Sequence, residues 1–299
     1  MKVFIDGSSG TTGLRIHDRL QSRSDIELIR LEESVRKDPA ARREALNSAD
    51  VAFLCLPDAA SIEAVSMVES DTVVIDTSTA HRTNEGWTYG FPELKGMKDK
   101  ITGSKRIANP GCHASGFIAL VAPLVEAGVI KKDDVLSCTS LTGYSGGGKK
   151  MIEQYETSND ALLRAPRLYG ISQKHKHIPE MMKVCGLETQ PAFCPIVSNY
   201  YSGMEVIVPL ETEEDVKGIY KDYFTGGLVK YKEDADEEGF LSACLMSGRD
   251  DMEISVYGNG KNTLLVSRFD NLGKGASGAA IQNMNIVMGI EETQGLKTQ

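Results

Sequence analysis

An Asn109-Pro110-Gly111 turn places Cys112 at the head of an apolar stretch, 114–127, that reads as a helix. A thiol at or beside a helix N-terminus faces unpaired backbone N–H groups and the positive end of the helix dipole, and both favour its thiolate. A thiolate so placed can attack an acyl carbon. Cys55, Cys138, Cys194 and Cys244 sit in apolar strand-like runs and read as buried structural thiols. The second concentration of reactive groups is Lys174-His175-Lys176-His177-Ile178-Pro179-Glu180. One imidazole suits a general acid–base oriented by a carboxylate such as Glu180, and a lysine such as Lys174 suits a phosphate. His-x-His with Cys185 nearby supplies metal-ligand types, but the spacing matches no zinc pattern, so no metal is expected. His17, His81 and His113 carry less signal, although His113 adjoins the cysteine.

Two glycine loops follow strand-like runs. Gly7-Ser8-Ser9-Gly10-Thr11-Thr12-Gly13 joins the first strand to the first helix, where glycines let backbone N–H groups close on a pyrophosphate. Its spacing is G-x-x-G-x-x-G, so its position carries the reading more than its pattern does. Past the loop, Glu32 and Glu33 suit a ribose 2′-OH, whereas Arg30, Arg36 and Lys37 suit a 2′-phosphate. Gly143-Tyr144-Ser145-Gly146-Gly147-Gly148-Lys149-Lys150 falls short of a P-loop because Lys150 replaces the magnesium-binding hydroxyl residue. Ser145 and Gly146 in such a nest still suit a substrate phosphate or an oxyanion.

These loops need a scaffold. Strand-like runs at 2–6, 27–31, 51–56 and 72–76 alternate with helical stretches at 11–23, 40–47 and 59–69, the doubly wound pattern of a parallel sheet. Beyond about residue 130 the runs at 135–142, 192–200, 204–210, 241–246, 252–257 and 263–269 read as strands of a mostly antiparallel sheet. Tyr200-Tyr201-Ser202-Gly203 and Gly258-Asn259-Gly260-Lys261 look like hairpin turns. Residues 213–224 read as a helix, 233–238 as a solvated acidic loop, and 275–290 as a last helix that returns to the first domain. The expected architecture is α/β: a Rossmann-type domain, 1–112 plus 275–299, and an α+β domain, 113–274.

With 299 residues, 41% apolar and 25% charged, the chain is of ordinary globular composition. A net charge of −9 argues against nucleic acid or an anionic membrane as the main partner. The N-terminus lacks a signal peptide, no stretch approaches a membrane span, and the cysteines form no C-x-x-C pair, so a reduced cytoplasmic protein is expected.

In order and spacing, GSSGTTG at 7–13, DTSTAHR at 76–82, GFPEL at 90–94, NPGCHASG at 109–116, the glycine loop at 143–148, KHKHIPE at 174–180 and DNLGKGASGAAIQNMN at 270–285 resemble the N-acetyl-gamma-glutamyl-phosphate reductases. The likeness is to their shorter form, within the aspartate-semialdehyde dehydrogenase superfamily. The resemblance implies NADP(H), an acyl phosphate substrate of arginine biosynthesis, and a thioacyl enzyme on Cys112. It points to His175 and His177 as acid–base candidates. It places the cofactor on Gly7, Ser8, Ser9, Gly10, Thr11, Thr12 and Gly13, with Cys55, Pro57, Ser78, Asn271 and Lys274, to which the reading of the basic residues adds Arg36. Arg82 joins Lys174, Ser145 and Gly146 as a substrate-binding candidate. A homo-oligomer, dimer or tetramer, is expected. Two alternatives stand beside this reading: an aspartyl-phosphate reductase of the same chemistry, and a non-catalytic NADP-binding sensor, for which an activated Cys112 has no use.

Overall fold

The computed structural model describes residues 1–298. The chain divides into two compact units. The first is Met1–Pro92, Gly96–Pro110 and Ala276–Leu296; the second is Glu93–Lys95, Gly111–Gly275 and the last residues from Lys297. Cys112, expected at the end of the first domain, groups with the second unit.

The first unit runs β1 (Lys2–Asp6), α1 (Thr11–Leu20), β2 (Glu27–Ile29), α2 (Pro39–Ser48), β3 (Val51–Leu54), α3 (Asp58–Ser66), β4 (Val73–Asp76), β5 (Thr88–Tyr89), α4 (Met97–Thr102) and β6 (Arg106–Ala108). Its six-stranded sheet, ordered β2-β1-β3-β4-β6-β5, is parallel throughout. Alternate side chains go to opposite faces of a strand. Val3, Ile5, Val51, Phe53, Val73 and Ile75 therefore share one core, and Phe4, Ala52, Leu54 and Val74 share the other. Both faces are covered, which is why these strands read as unbroken apolar runs. The second core is completed by Ala45 and Leu46 of α2 and Ala64 of α3. The first is completed by Ile16 and Leu20 of α1 and by Ala280, Ile281, Met284 and Ile286, which come from the end of the chain.

The second unit runs α5 (Cys112–Glu126), β7 (Ser137–Gly143), α6 (Gly148–Thr157), β8 (Arg167–Leu168), α7 (Ile178–Cys185), β9 (Ala192–Ser198), β10 (Met204–Glu211), α8 (Val216–Tyr223), β11 (Val229–Tyr231), β12 (Met252–Asn259) and β13 (Asn262–Phe269). A π-helical turn, Gly273–Ser277, leads out of it into α9 (Gly278–Val287) of the first unit. The seven strands are ordered β11-β12-β13-β10-β7-β9-β8. Only β7–β9 and β11–β12 pair in parallel. Helix α5 lies close on this sheet: a Cβ on Gly116 would stand 2.5 Å from Val206 and 2.9 Å from Phe269.

Two expectations fail here. The turn at 200–203 does not close a hairpin, because β7 is inserted between β9 and β10 and pairs with both. The apolar run 241–246 is not a strand. Successive bonds from Leu245 N–H to Ser242 O, Ser247 N–H to Cys244 O and Arg249 N–H to Met246 O coil it into turns, so its amides are spent locally. The other hairpin, β12 to β13, forms around Gly260 at φ +59°.

Candidate active site

In the second unit Cys112 is the first residue of α5. Gly111, the cap residue, is extended (φ −80°, ψ 145°) and offers no side chain, so the first-turn N–H groups around Cys112 have no side-chain cap. From the start of α7, the buried Glu180 accepts the N–H of Gly111 at 3.1 Å. That bond fastens the histidine segment to the cysteine turn. Three imidazoles then converge: ring centres are 4.8 Å apart for His175 and His177, 5.6 Å for His113 and His175, and 5.5 Å for His113 and His177. Phe193 closes the group from β9, 5.4 Å from His113.

Burial, helped by Lys176, pushes His175 down to about 4, and burial pushes His113 down to about 3. Both rings are thus neutral at physiological pH. His113 spans two hydroxyls, Nδ1 to Ser140 Oγ and Nε2 to Tyr169 Oη, each at 2.6 Å. Lys174 and Lys176 of the same segment are exposed.

Next to this cluster the structure ties down several loop residues. Asn271 donates to Ser145 Oγ at 3.0 Å and accepts the N–H of Gly203 at 3.0 Å. A Cβ on Gly146 would meet Asn271 at 3.5 Å, so Ser145, Gly146 and Asn271 form one assembly. Lys274, fully buried, is bound by both carboxylate oxygens of Glu93 at 2.7 Å. Gly275 approaches the cysteine directly: a Cβ there would lie 2.9 Å from that of Cys112.

In the first unit the 7–13 loop is a close-fitting cradle. Gly7 is at φ +84°, and a Cβ on it would fall 2.3 Å from the Cys55 carbonyl oxygen; one on Gly13 would fall 2.5 Å from the Gly7 oxygen. Only glycine fits at either place. Gly10 caps α1 without a side-chain bond, and the buried Thr11 hydroxyl there has no partner among the described residues. A cleft of about 450 Å³ opens beside the loop, lined by Ser8, Ser9, Arg30, Glu33, Arg36 and Lys37, among others. Arg36 is held by Glu33 at 2.7 Å. These features fit a dinucleotide phosphate and a further anion at the cleft.

Residues 2–102 match the family model described as semialdehyde dehydrogenase, NAD binding domain, and 112–271 match semialdehyde dehydrogenase, dimerisation domain. A protein of Nostoc sp. named N-acetyl-gamma-glutamyl-phosphate reductase 2 is 42% identical, with 99% of both chains covered. One of Brucella ovis named N-acetyl-gamma-glutamyl-phosphate reductase is 43% identical over 96% of this chain and 99% of its own. The chain belongs to the N-acetyl-gamma-glutamyl-phosphate reductase family. Among solved structures it is similar to aspartate semialdehyde dehydrogenase II of Vibrio cholerae complexed with ASA, with TM-score 0.73, 17% identity and coverage of 96% and 98%. The aspartate semialdehyde dehydrogenase of Candida albicans with NADP gives TM-score 0.70 at 17% identity, covering 96% and 98%. At such identities the likeness is one of fold.

Seen as a reductase of this family, the chain gathers Cys112, His175, His177 and Glu180 in one unit, with Ser145, Gly146, Asn271 and Lys274 in the same unit. Gly7 to Gly13, Arg36, Cys55, Pro57, Ser78 and Arg82 belong to the other unit. Arg82 donates to the carbonyls of Asn109 and Thr77, both at 3.0 Å. Ser78 donates to Asp76. The surroundings of Cys55 push its thiol up to about 12, so it stays protonated. Sequence reasoning set His113 aside and passed over Tyr169 altogether. The position of His113 beside the cysteine was the one available signal, because its partners lie 27 and 56 residues away in the chain.

Proposed function

We propose that this protein reduces N-acetyl-L-glutamyl 5-phosphate with NADPH to N-acetyl-L-glutamate 5-semialdehyde, releasing phosphate, as a step of arginine biosynthesis. The observation that carries the reading is the bond from Gly111 to Glu180, which fastens the histidine segment to a cysteine at a helix start. The first unit binds the nucleotide through the 7–13 loop, and Arg36 takes the 2′-phosphate. The second unit carries the acyl chemistry.

His175, neutral, or its neighbour His177 takes the Cys112 thiol proton. The thiolate bonds to the acyl carbon, the carbon–oxygen bond to phosphate breaks, and the imidazolium returns its proton to the departing phosphate. A bound phosphate dianion raises the pKa of a nearby imidazole, which suits the ring to that second task. The Ser145–Gly146 loop and Lys174 neutralise the substrate phosphate. When bound, NADPH supplies the hydride that a thioester accepts more readily than a carboxylate. Cys112 then leaves as thiolate with the electrons of its carbon–sulfur bond, freeing the aldehyde, and a proton taken up from water returns it to the thiol.

A homodimer through the second unit is supported by the description of the matching family model. The cytoplasm is the expected location. The test is NADP reduction with N-acetyl-glutamate semialdehyde and phosphate beside the same assay with aspartate semialdehyde. Activity on the acetylated substrate alone supports the proposal, and preference for aspartate semialdehyde replaces it with the related reductase. Without NADPH, acyl phosphate should leave an acyl adduct on Cys112 by mass spectrometry, and an adduct on another cysteine overturns the mechanism.

A further inference from the structure

The stretch 30–38, between β2 and α2, holds both kinds of cofactor signal: carboxylates that suit a ribose hydroxyl and cations that suit a phosphate. It winds through consecutive turns, with the Val35 N–H on Glu32 O at 3.0 Å and the Asp38 N–H on Val35 O at 2.9 Å. Glu33 and Arg36 thereby come together, Oε1 to Nη2 at 2.7 Å. The two opposed signals are bound to each other.

The charges along the cleft of about 450 Å³ beside the 7–13 loop are not equally available. Arg42 is held by Asp6 at 3.0 Å and by Glu63 at 3.1 Å, and both Asp6 and Arg42 are buried. That pair is fixed. The side chains of Arg30 and Lys37 line the same cleft with no ion-pair partner among the described residues. Arg36 stands between these cases, because its carboxylate can move away. The Glu33 side chain is 81% exposed and pairs with no other cation among the described residues. Exposed pairs of this kind contribute little, so a stronger anion displaces the carboxylate. A phosphate dianion, doubly charged and matched to the guanidinium fork, is such an anion.

We propose that Glu33 is a built-in counterion that Arg36 exchanges for the 2′-phosphate of NADP, and that it thereby sets how strongly the protein prefers NADP to NAD. The inference rests on Arg36 as the 2′-phosphate ligand. NAD brings only a hydroxyl to this place, so the pair stays closed. With NADP the carboxylate must withdraw, and its charge then stands close to the phosphate. Glu33 therefore weakens NADP, leaves NAD as it is, and narrows the preference between them. Arg30 and Lys37 draw the phosphate without any such exchange.

The test is calorimetric titration of the whole protein with NADP and, separately, with NAD. Glu33→Gln keeps the size of the side chain and removes its charge. It should tighten NADP about threefold and change NAD by less than about twofold. In an Arg36→Ala background the same substitution should gain less, since there is no pair to break. Unchanged or weaker NADP binding in Glu33→Gln overturns the exchange, as does an equal gain in both backgrounds or an equal gain for NAD. A pair that only braced the turn would move the melting temperature and spare the ratio of the two affinities, which also overturns it. Arg36→Ala by itself separates the two levels of the reading. If it binds NADP as the wild type does, the assignment of the 2′-phosphate to Arg36 fails. If it weakens NADP while Glu33→Gln has no effect, the exchange alone fails.

Discussion

His81 in the first unit and His113 in the second are both buried, and each brings Nδ1 to 2.6 Å from an oxygen. At His81 that oxygen belongs to the Asp76 carboxylate, which only accepts, so the ring has one permitted tautomer. Asp76 also takes the hydroxyls of Ser61 and Ser78 and the Ser78 N–H, and the ring stacks on Trp87 at 4.1 Å. At His113 the oxygen is a hydroxyl that can give or take, and the far nitrogen meets a second hydroxyl. A carboxylate closes an imidazole into a fastening. Hydroxyls and neutral rings leave the proton's place to be settled by the whole chain of groups, which is the condition for moving it.

The strongest way to break this contrast is to exchange the rings. His175→Gln and His177→Gln should diverge, one lowering kcat by a factor on the order of 10²–10⁴ and the other mildly, with melting temperatures near wild type. His81→Gln should do the reverse, lowering the melting temperature while turnover persists. A comparable fall in kcat at His81 would erase the distinction. Next in size is Asp76→Ala, which strands His81, Ser61 and Ser78. It should cost about 3–5 kcal/mol in urea denaturation.

Protonation gives a third measure. His113 titrates at about 3 when folded against an ordinary 6.5, so the unfolded chain binds more protons between those values. Its stabilising contribution is complete above 6.5 and is lost as pH falls toward 3, by about 2 kcal/mol between pH 7.5 and 5. Glu205, pushed up to about 6 by burial, works the other way, losing stability as pH rises. The informative quantity is therefore the stability difference between wild type and His113→Phe, in which Glu205 cancels. That difference should shrink by about 2 kcal/mol at the lower pH, and a constant difference refutes the neutral ring. The smallest expected effect tests the cleft. Arg36→Ala should weaken NADP about tenfold, the worth of one charged hydrogen bond, and leave NAD unchanged by titration.

What the sequence disclosed was local. The 7–13 loop, the cysteine at a helix start and the buried parallel strands are each legible within about twenty residues, because turn chemistry and periodicity act over that range. The failures are all of longer reach. Nothing near Tyr200 announces that β7, some sixty residues earlier, takes the place beside β9 that a hairpin would fill. The stretch 241–246 is apolar like a strand, yet Met246 is buried within coiled turns. His113 gains its meaning from Ser140 and Tyr169, and no spacing rule connects three groups brought together by a helix, a strand and a loop.

The first unit's core, finally, waits on the end of the chain. Ala280, Ile281, Met284 and Ile286 complete a face whose other members begin at Val3. During synthesis at roughly 5–20 residues per second, the interval between α4 and α9 lasts roughly 10–35 s. Through it, Val51, Phe53, Val73 and Ile75 have no cover from α9 on that face. The nascent protein thus carries an unfinished apolar sheet, a binding surface for holdase chaperones and a point of vulnerability to aggregation. Truncation within α9 should convert that transient hazard into a permanent one.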